Sequence, residues 1–66
     1  MAVTKVVEIN AASSKSFEDA ISVGISKANE TVRDIRGAWV KEQQVIVEDG
    51  KISEYRADLK VSFVLE

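Results

Sequence analysis

Sixty-six residues make one domain at most, and a chain this short buries only roughly 60% of the surface its unfolded form exposes, so it needs an extra source of stability. The absence of Cys and His excludes a disulfide framework, a thiolate or histidine zinc site, and any Ser-His-Asp or Cys-His nucleophile, which leaves self-association. A net charge of −2 argues against a nucleic-acid partner, no apolar run approaches membrane-spanning length, and residues 1 to 12 lack the apolar core of a secretory signal.

Ala2 to Ile9 alternates loosely, with Val3, Val7 and Ile9 on one face and Thr4 and Glu8 on the other. Lys5 interrupts the apolar side, but the pattern still predicts a first strand. Asn10 to Ser16 is small and polar and reads as a turn. Ser16-Phe17-Glu18-Asp19 reads as a helix start, because a Ser hydroxyl accepts from the free backbone N–H three residues on and acidic side chains suit the positive helix end. Ser13 is an alternative cap. Phe17, Ala20, Ile21, Gly24, Ile25, Ala28, Val32 and Ile35 form one apolar stripe, which predicts a helix of about five turns. Lys27, Glu30 and Arg33 take the opposite face. Arg33 and Arg36 suit the negative end, and Gly37 is either the stop or the first residue of the next strand. Gly24 inside the helix costs about 1 kcal/mol against Ala, which points to a close approach of helix and sheet.

From Ala38 to Val47 and from Lys51 to Leu65 the period becomes two, with Asp49-Gly50 as a two-residue hairpin turn between them. Placing Glu48 opposite Lys51 sets the register. One face then gathers Ala38, Val40, Tyr55, Ala57, Leu59, Val61, Phe63 and Leu65, the side expected against the helix. The other gathers Trp39, Lys41, Gln43, Val45 and Val47 with Ile52, Glu54, Arg56, Asp58, Lys60 and Ser62, and sets Lys41 opposite Asp58 and Gln43 opposite Arg56. The expected fold is α+β, β-α-β-β, with a three-stranded antiparallel sheet of order 1-3-2 wrapped around one helix. One helix covers one face only, so Trp39, Val45, Val47, Ile52 and Val64 form an exposed apolar set among charges, which marks an interface.

This order and length, with Val6-Val7-Glu8-Ile9, Ser16-Phe17-Glu18-Asp19-Ala20-Ile21, Val40-Lys41-Glu42-Gln43, Glu54-Tyr55-Arg56 and Val61-Ser62-Phe63-Val64-Leu65-Glu66, resembles the dodecin family over nearly the whole chain. The resemblance implies a single dodecin-like domain over residues 1–66 and a hollow homododecamer that binds flavins, riboflavin or FMN, in pairs at two-fold interfaces. Each flavin there stacks on a Trp and meets a Gln. Carried over without a gap, the Trp position falls at Gly37 and the Gln position at Arg56. Trp39 lies one side-chain repeat further on, on the same face and displaced by roughly 7 Å. Flavin is therefore expected to bind weakly or not at all.

Two readings of Trp39 stand side by side: a displaced stacking platform for a flat ligand, or an interface residue filling the space of a flavin. Arg56 offers a planar fork for a phosphate or carboxylate, or an ion pair with Glu54 or Glu42 of a neighbouring copy. Glu42, Glu54 and Asp58 suit a hard cation at a symmetry axis, but no loop supplies ligands at a dedicated spacing, so no metal site is expected. With 45% hydrophobic and 30% charged residues the chain reads as a soluble globular protein, the lack of Cys is compatible with the cytoplasm, and nothing places two acid–base groups in a sheltered cleft, so a cytoplasmic, non-enzymatic protein is expected. It binds or stores a small molecule as a homo-oligomer; the alternatives are a ligand-free structural oligomer and an assembly for another small ligand or metal ion.

Overall fold

The computed structural model describes residues 3–65, and Ala2, expected to open the first strand, lies outside them. The elements are β1 (Val3–Ser13), α1 (Phe17–Ala28), β2 (Ile35–Glu48) and β3 (Lys51–Leu65). They form one antiparallel sheet in the order β1-β3-β2, as expected. The turn between β2 and β3 is built as its sequence demands: Asp49 and Gly50 both take the left-handed region, with φ of 53° and 75°.

β1 runs four residues past the expected end at Ile9, so the reading of Asn10 to Ser16 as a turn is corrected. Asn10 to Ser13 pair with Asp58 to Tyr55 of β3, and a ladder partner outweighs the polar character of the segment. Ser16 caps α1, its hydroxyl accepting from the Asp19 N–H at 3.0 Å. Ser13, the alternative cap, has another task. Its hydroxyl donates to Asp19 Oδ2 at 2.6 Å and accepts from the Lys15 N–H at 2.9 Å, tying the end of β1 to the helix start.

The helix is twelve residues long, not five turns. Asn29 closes it through its N–H to the Ile25 carbonyl, one further turn carries Val32 to the Ala28 carbonyl, and Asp34 at φ 57° reverses the chain. The apolar spacing at Val32 and Ile35 has a different cause: Ile35 is the first residue of β2 and pairs with Phe63. Arg33 and Arg36 therefore cap no helix end, and Gly37 is neither a stop nor a strand start but lies two residues inside β2.

The core is small. Ala20, Ala57, Leu59 and Val61 are fully buried, with Val7, Ile9, Ile21, Ile25 and Ile35 packed around them. Phe17 meets Tyr55 edge-on at 5.2 Å, anchoring the helix start on β3. A Cβ on Gly24 would stand 2.8 Å from Ala11 Cβ, so the missing side chain is what lets α1 sit on β1. The helix packs over β1 and β3. Ala38, Val40 and Leu65, expected on the covered side, are consequently exposed, and β2 has only Ile35 and Ile46 partly buried. The result is an elongated unit of 50 × 19 × 14 Å in which α1 leaves β2 uncovered.

Candidate ligand-binding face

The side of the sheet away from α1 carries three residues per row, one from each strand. Val6, Ser62 and Gly37 form one row, Glu8, Lys60 and Trp39 the next, then Asn10, Asp58 and Glu42, then Ala12, Arg56 and Gln44. Three bulges shape it. Arg36, Lys41 and Ser53 are extra residues in the β2–β3 ladder, inserted between Ile35 and Gly37, between Val40 and Glu42, and between the Val47–Ile52 and Ile46–Glu54 pairs.

The bulge at Lys41 overturns part of the expected register. Glu42, not Lys41, faces Asp58, and Gln44, not Gln43, faces Arg56. Gln43 and Val45 move to the side of Ala57 and Tyr55, opposite to the expected face. Val47 and Ile52 remain opposite one another at the hairpin end, both more than half exposed. A single inserted residue exchanges the faces of everything beyond it, because the side-chain period along a strand is two.

Trp39 is 60% exposed. It shares a shallow, largely apolar depression with Val6, Lys41 and Lys60. Lys41 Nζ donates to Glu8 Oε2 at 3.3 Å, a contact that spans β3 and joins the two edge strands. The Asp58 carboxyl, hydrogen-bonded to Glu8, is pushed above the usual aspartate range, while the same bond and the Lys41 ammonium hold Glu8 below the usual glutamate range. The Glu8 hydrogen bond in turn raises Lys41. Further along, Asn10, Glu42, Gln43, Gln44, Arg56 and Asp58 line a polar depression. Arg56 Nε donates to Glu54 of its own chain, so the expected partner is found without a neighbour.

Gly37 and Trp39 lie on the same face, opposite Ser62 and Lys60. The Gly37 carbonyl accepts from the Ser62 hydroxyl at 3.2 Å, and a Cβ there would have room, with Ser62 Oγ nearest at 3.7 Å. Arg56 lies several residues along, beside Gln44. The face thus brings Gly37 and Trp39 together and holds Arg56 apart, in the polar depression. Sequence reasoning placed Lys41 and Lys60 on this face but gave them no part beside Trp39; the Trp39–Lys60 pairing was legible in the hairpin register, the bulge was not.

The sequence model of the dodecin family matches residues 3–66. The chain belongs to the dodecin family. Calcium dodecin of Mycobacterium tuberculosis is 44% identical over 64 residues, covering 96% of this chain and 89% of that protein. The crystal structure of that dodecin, described as a calcium-chelating immunodominant antigen with a novel calcium-binding site, superposes with a TM-score of 0.84 at 41% identity, over 98% of this chain and 93% of the other. The dodecin of Streptomyces davaonensis superposes with a TM-score of 0.95 at 28% identity, over 98% and 96% of the two chains. The dodecin fold is thus reproduced over nearly the whole chain. Among the described residues no helix is long and apolar enough to cross a membrane.

Proposed function

We propose that this dodecin is a single-domain, cytoplasmic binding or storage protein that assembles as a homododecamer and holds a small planar ligand against Trp39, without catalytic turnover. One observation carries the reading: an exposed indole stands on a sheet face that no element of the chain covers, in an apolar depression. Assembly is supported by β2, which lies exposed along nearly its whole length, with Val40, Val45 and Val47 among its uncovered side chains. Neighbouring copies would also enclose the depression, which is too shallow to bury a flat ring alone.

Flavin enters this reading as a weak ligand. Gly37 offers no ring, and the Arg56 fork is engaged by Glu54, so the two contacts that the family resemblance implies are both missing. A stacked pair of rings contributes about 0.5–1.5 kcal/mol beyond area burial, and only Trp39 remains to supply it.

The test combines light scattering with a riboflavin titration read through Trp39, the only tryptophan. Twelve subunits and strong quenching, lost in Trp39→Ala with the assembly intact, are the expected results. Unchanged emission together with weakened assembly in Trp39→Ala would make the residue an interface filler and the protein a structural oligomer. Calcium is titrated in parallel because of the M. tuberculosis relative. Among the described residues no three acidic side chains stand close enough to hold a metal ion. Saturable stabilisation by calcium with no response to riboflavin would overturn the planar-ligand reading.

A further inference from the structure

We infer that residues 42–46 of β2 form a register switch, a segment that slips by one residue against β3 while the ladder on either side of it stays in place.

Two bulges bound the segment, and they compensate each other. At the hairpin end Glu48 faces Lys51 and Val47 faces Ile52. Ser53 is then extra in β3, so Ile46 faces Glu54, and the pairs down to Glu42 and Asp58 keep that offset. Lys41 is extra in β2, and Val40 opposite Leu59 restores the first alignment. Removing both bulges at once therefore joins the two flanking ladders without moving either. In that regular pairing Lys41 faces Asp58, Gln43 faces Arg56 and Val45 faces Glu54. β3 cannot yield, because Ala57 and Leu59 are fully buried. The β2 segment can: residues 42–45 are exposed and Ile46 is only partly buried.

The side chains do not choose between the two pairings. Residues 43–46 read Gln-Gln-Val-Ile. The offset pairing puts Gln43 and Val45 on the helix side, and Gln44 and Ile46 on the open side. A slip of one residue exchanges Gln for Gln and Val for Ile. Register is strongly specified only where one face is buried, and α1 leaves β2 uncovered. Two contacts hold the offset: the Ser53 hydroxyl donates to the Ile46 carbonyl at 3.2 Å, and Lys41 Nζ donates to Glu8 at 3.3 Å.

Charge supplies the bias. Around the Asp58 carboxyl stand Glu42 and Lys41 from β2, Glu8 from β1, and Arg56 and Lys60 along β3, while α1 lies on the other side of the sheet. The offset pairing sets Glu42 directly opposite Asp58, and like charges so placed repel. The regular pairing sets Lys41 there and turns Glu42 to the helix side. Glu8 gives up Lys41 in the slip but keeps Lys60 as its cross-strand neighbour. A proton on Asp58 removes the repulsion, in line with the raised Asp58 value. A ligand shifts an equilibrium toward the state that binds it better, and the offset pairing binds this proton better. Rising pH through the Asp58 midpoint therefore favours the regular pairing. The open face then shows Lys41, Gln43 and Val45 in place of Glu42, Gln44 and Ile46, and the polar depression loses an acid.

The test is methyl NMR on the intact protein, labelled at Val and Ile. Relaxation dispersion reads microsecond-to-millisecond exchange. It is expected at Val45 and Ile46 and not at Val40 or Val47, whose partners are the same in both pairings. Raising pH through the Asp58 midpoint should weaken the contact of the Val45 methyls with the Tyr55 ring, and Asp58→Asn should abolish that loss. Paired cysteines report each state in a chain that has none of its own. Gln44→Cys with Arg56→Cys should close an intrachain disulfide in the offset pairing, and Gln43→Cys with Arg56→Cys in the regular one. Absence of exchange at Val45 and Ile46 would overturn the switch. Exchange spread equally to Val40 and Val47 would also overturn it, because fraying of an edge strand does not respect the bulges. A Gln43 pair that stays reduced while the Gln44 pair closes would do the same. A pH response that persists in Asp58→Asn would overturn the part given to Asp58. If a cysteine variant fails to fold, the NMR of the unaltered protein decides.

Discussion

The two sides of β3 differ more than any two elements of the molecule. Ala57, Leu59 and Val61 are fully buried beneath α1, while Arg56 and Lys60, alternating with them, are exposed on the side no element covers. The same backbone serves both, so the difference lies in the helix alone. Under it, small and branched side chains close a core that admits no Cβ on Gly24. Away from it, charges surround an apolar minority, of which Trp39 and Val6 form one depression. A chain with so few fully buried residues draws little stability from its own core, and its uncovered side keeps both apolar area and unmatched charge available for other molecules.

The sharpest way to break this contrast is to exchange the roles of adjacent residues. Leu59→Ala should cost about 2–5 kcal/mol, because it empties a fully buried position in a core with few large side chains. Lys60→Ala, one residue on, should stay within about 0.5 kcal/mol. Denaturant unfolding of the two variants at one protein concentration checks both, and similar losses would show that the uncovered side is as structural as the covered one.

A smaller effect is expected where helix and sheet meet. Gly24→Ala gains about 1 kcal/mol of helix propensity but meets Ala11 Cβ, which the backbone holds in place, and overpacking costs about 1–3 kcal/mol. Net destabilisation should follow, and Ala11→Gly in the same chain should recover part of it. A double-mutant cycle without coupling between the two positions would refute this close approach.

The smallest effect belongs to the open face. A carboxyl-detected NMR titration should find Asp58 above the usual aspartate range and Glu8 below the usual glutamate range, because the hydrogen bond between them raises Asp58 and, with Lys41, holds Glu8 down. The raised Asp58 value contributes stability at low pH that is lost as pH rises through the Asp58 midpoint. The lowered Glu8 value contributes stability at neutral pH that is lost as pH falls through the Glu8 midpoint. The two trends oppose each other across this range. Lys41→Met should raise Glu8. Ordinary midpoints for both groups would show that Glu8 and Asp58 do not share a hydrogen bond.

Much of the architecture was legible in the residues. Period two after Gly37, the Asp49-Gly50 turn, the Ser16 cap and the stripe from Phe17 to Ala28 are local signals, and each led to the element observed. The errors share one cause. Val32 and Ile35 extended the helix because spacing alone does not tell a helical position from the first residue of a strand. Asn10 to Ser13 read as a turn because nothing local announces the partner strand that pairs with it. The candidate site suffered most from the bulge: Lys41 and Glu42 look like ordinary alternation, and nothing in their identities states that one of them is extra.

By itself, the sequence determined the order of elements, the antiparallel sheet around one helix, the side of β3 that forms the core, and the lack of any His or Cys chemistry. These follow from side-chain periodicity and composition, which act over a few residues. Tertiary structure alone decided where β1 and α1 end, that the helix leaves β2 uncovered, that Lys41 reaches Glu8 across β3, and that Gln43 and Val45 face the helix side. Those outcomes depend on backbone pairing between distant segments. The register there is set by the total fit of three strands and one helix, so a one-residue slip has no local signature and yet exchanges the faces of every residue beyond it.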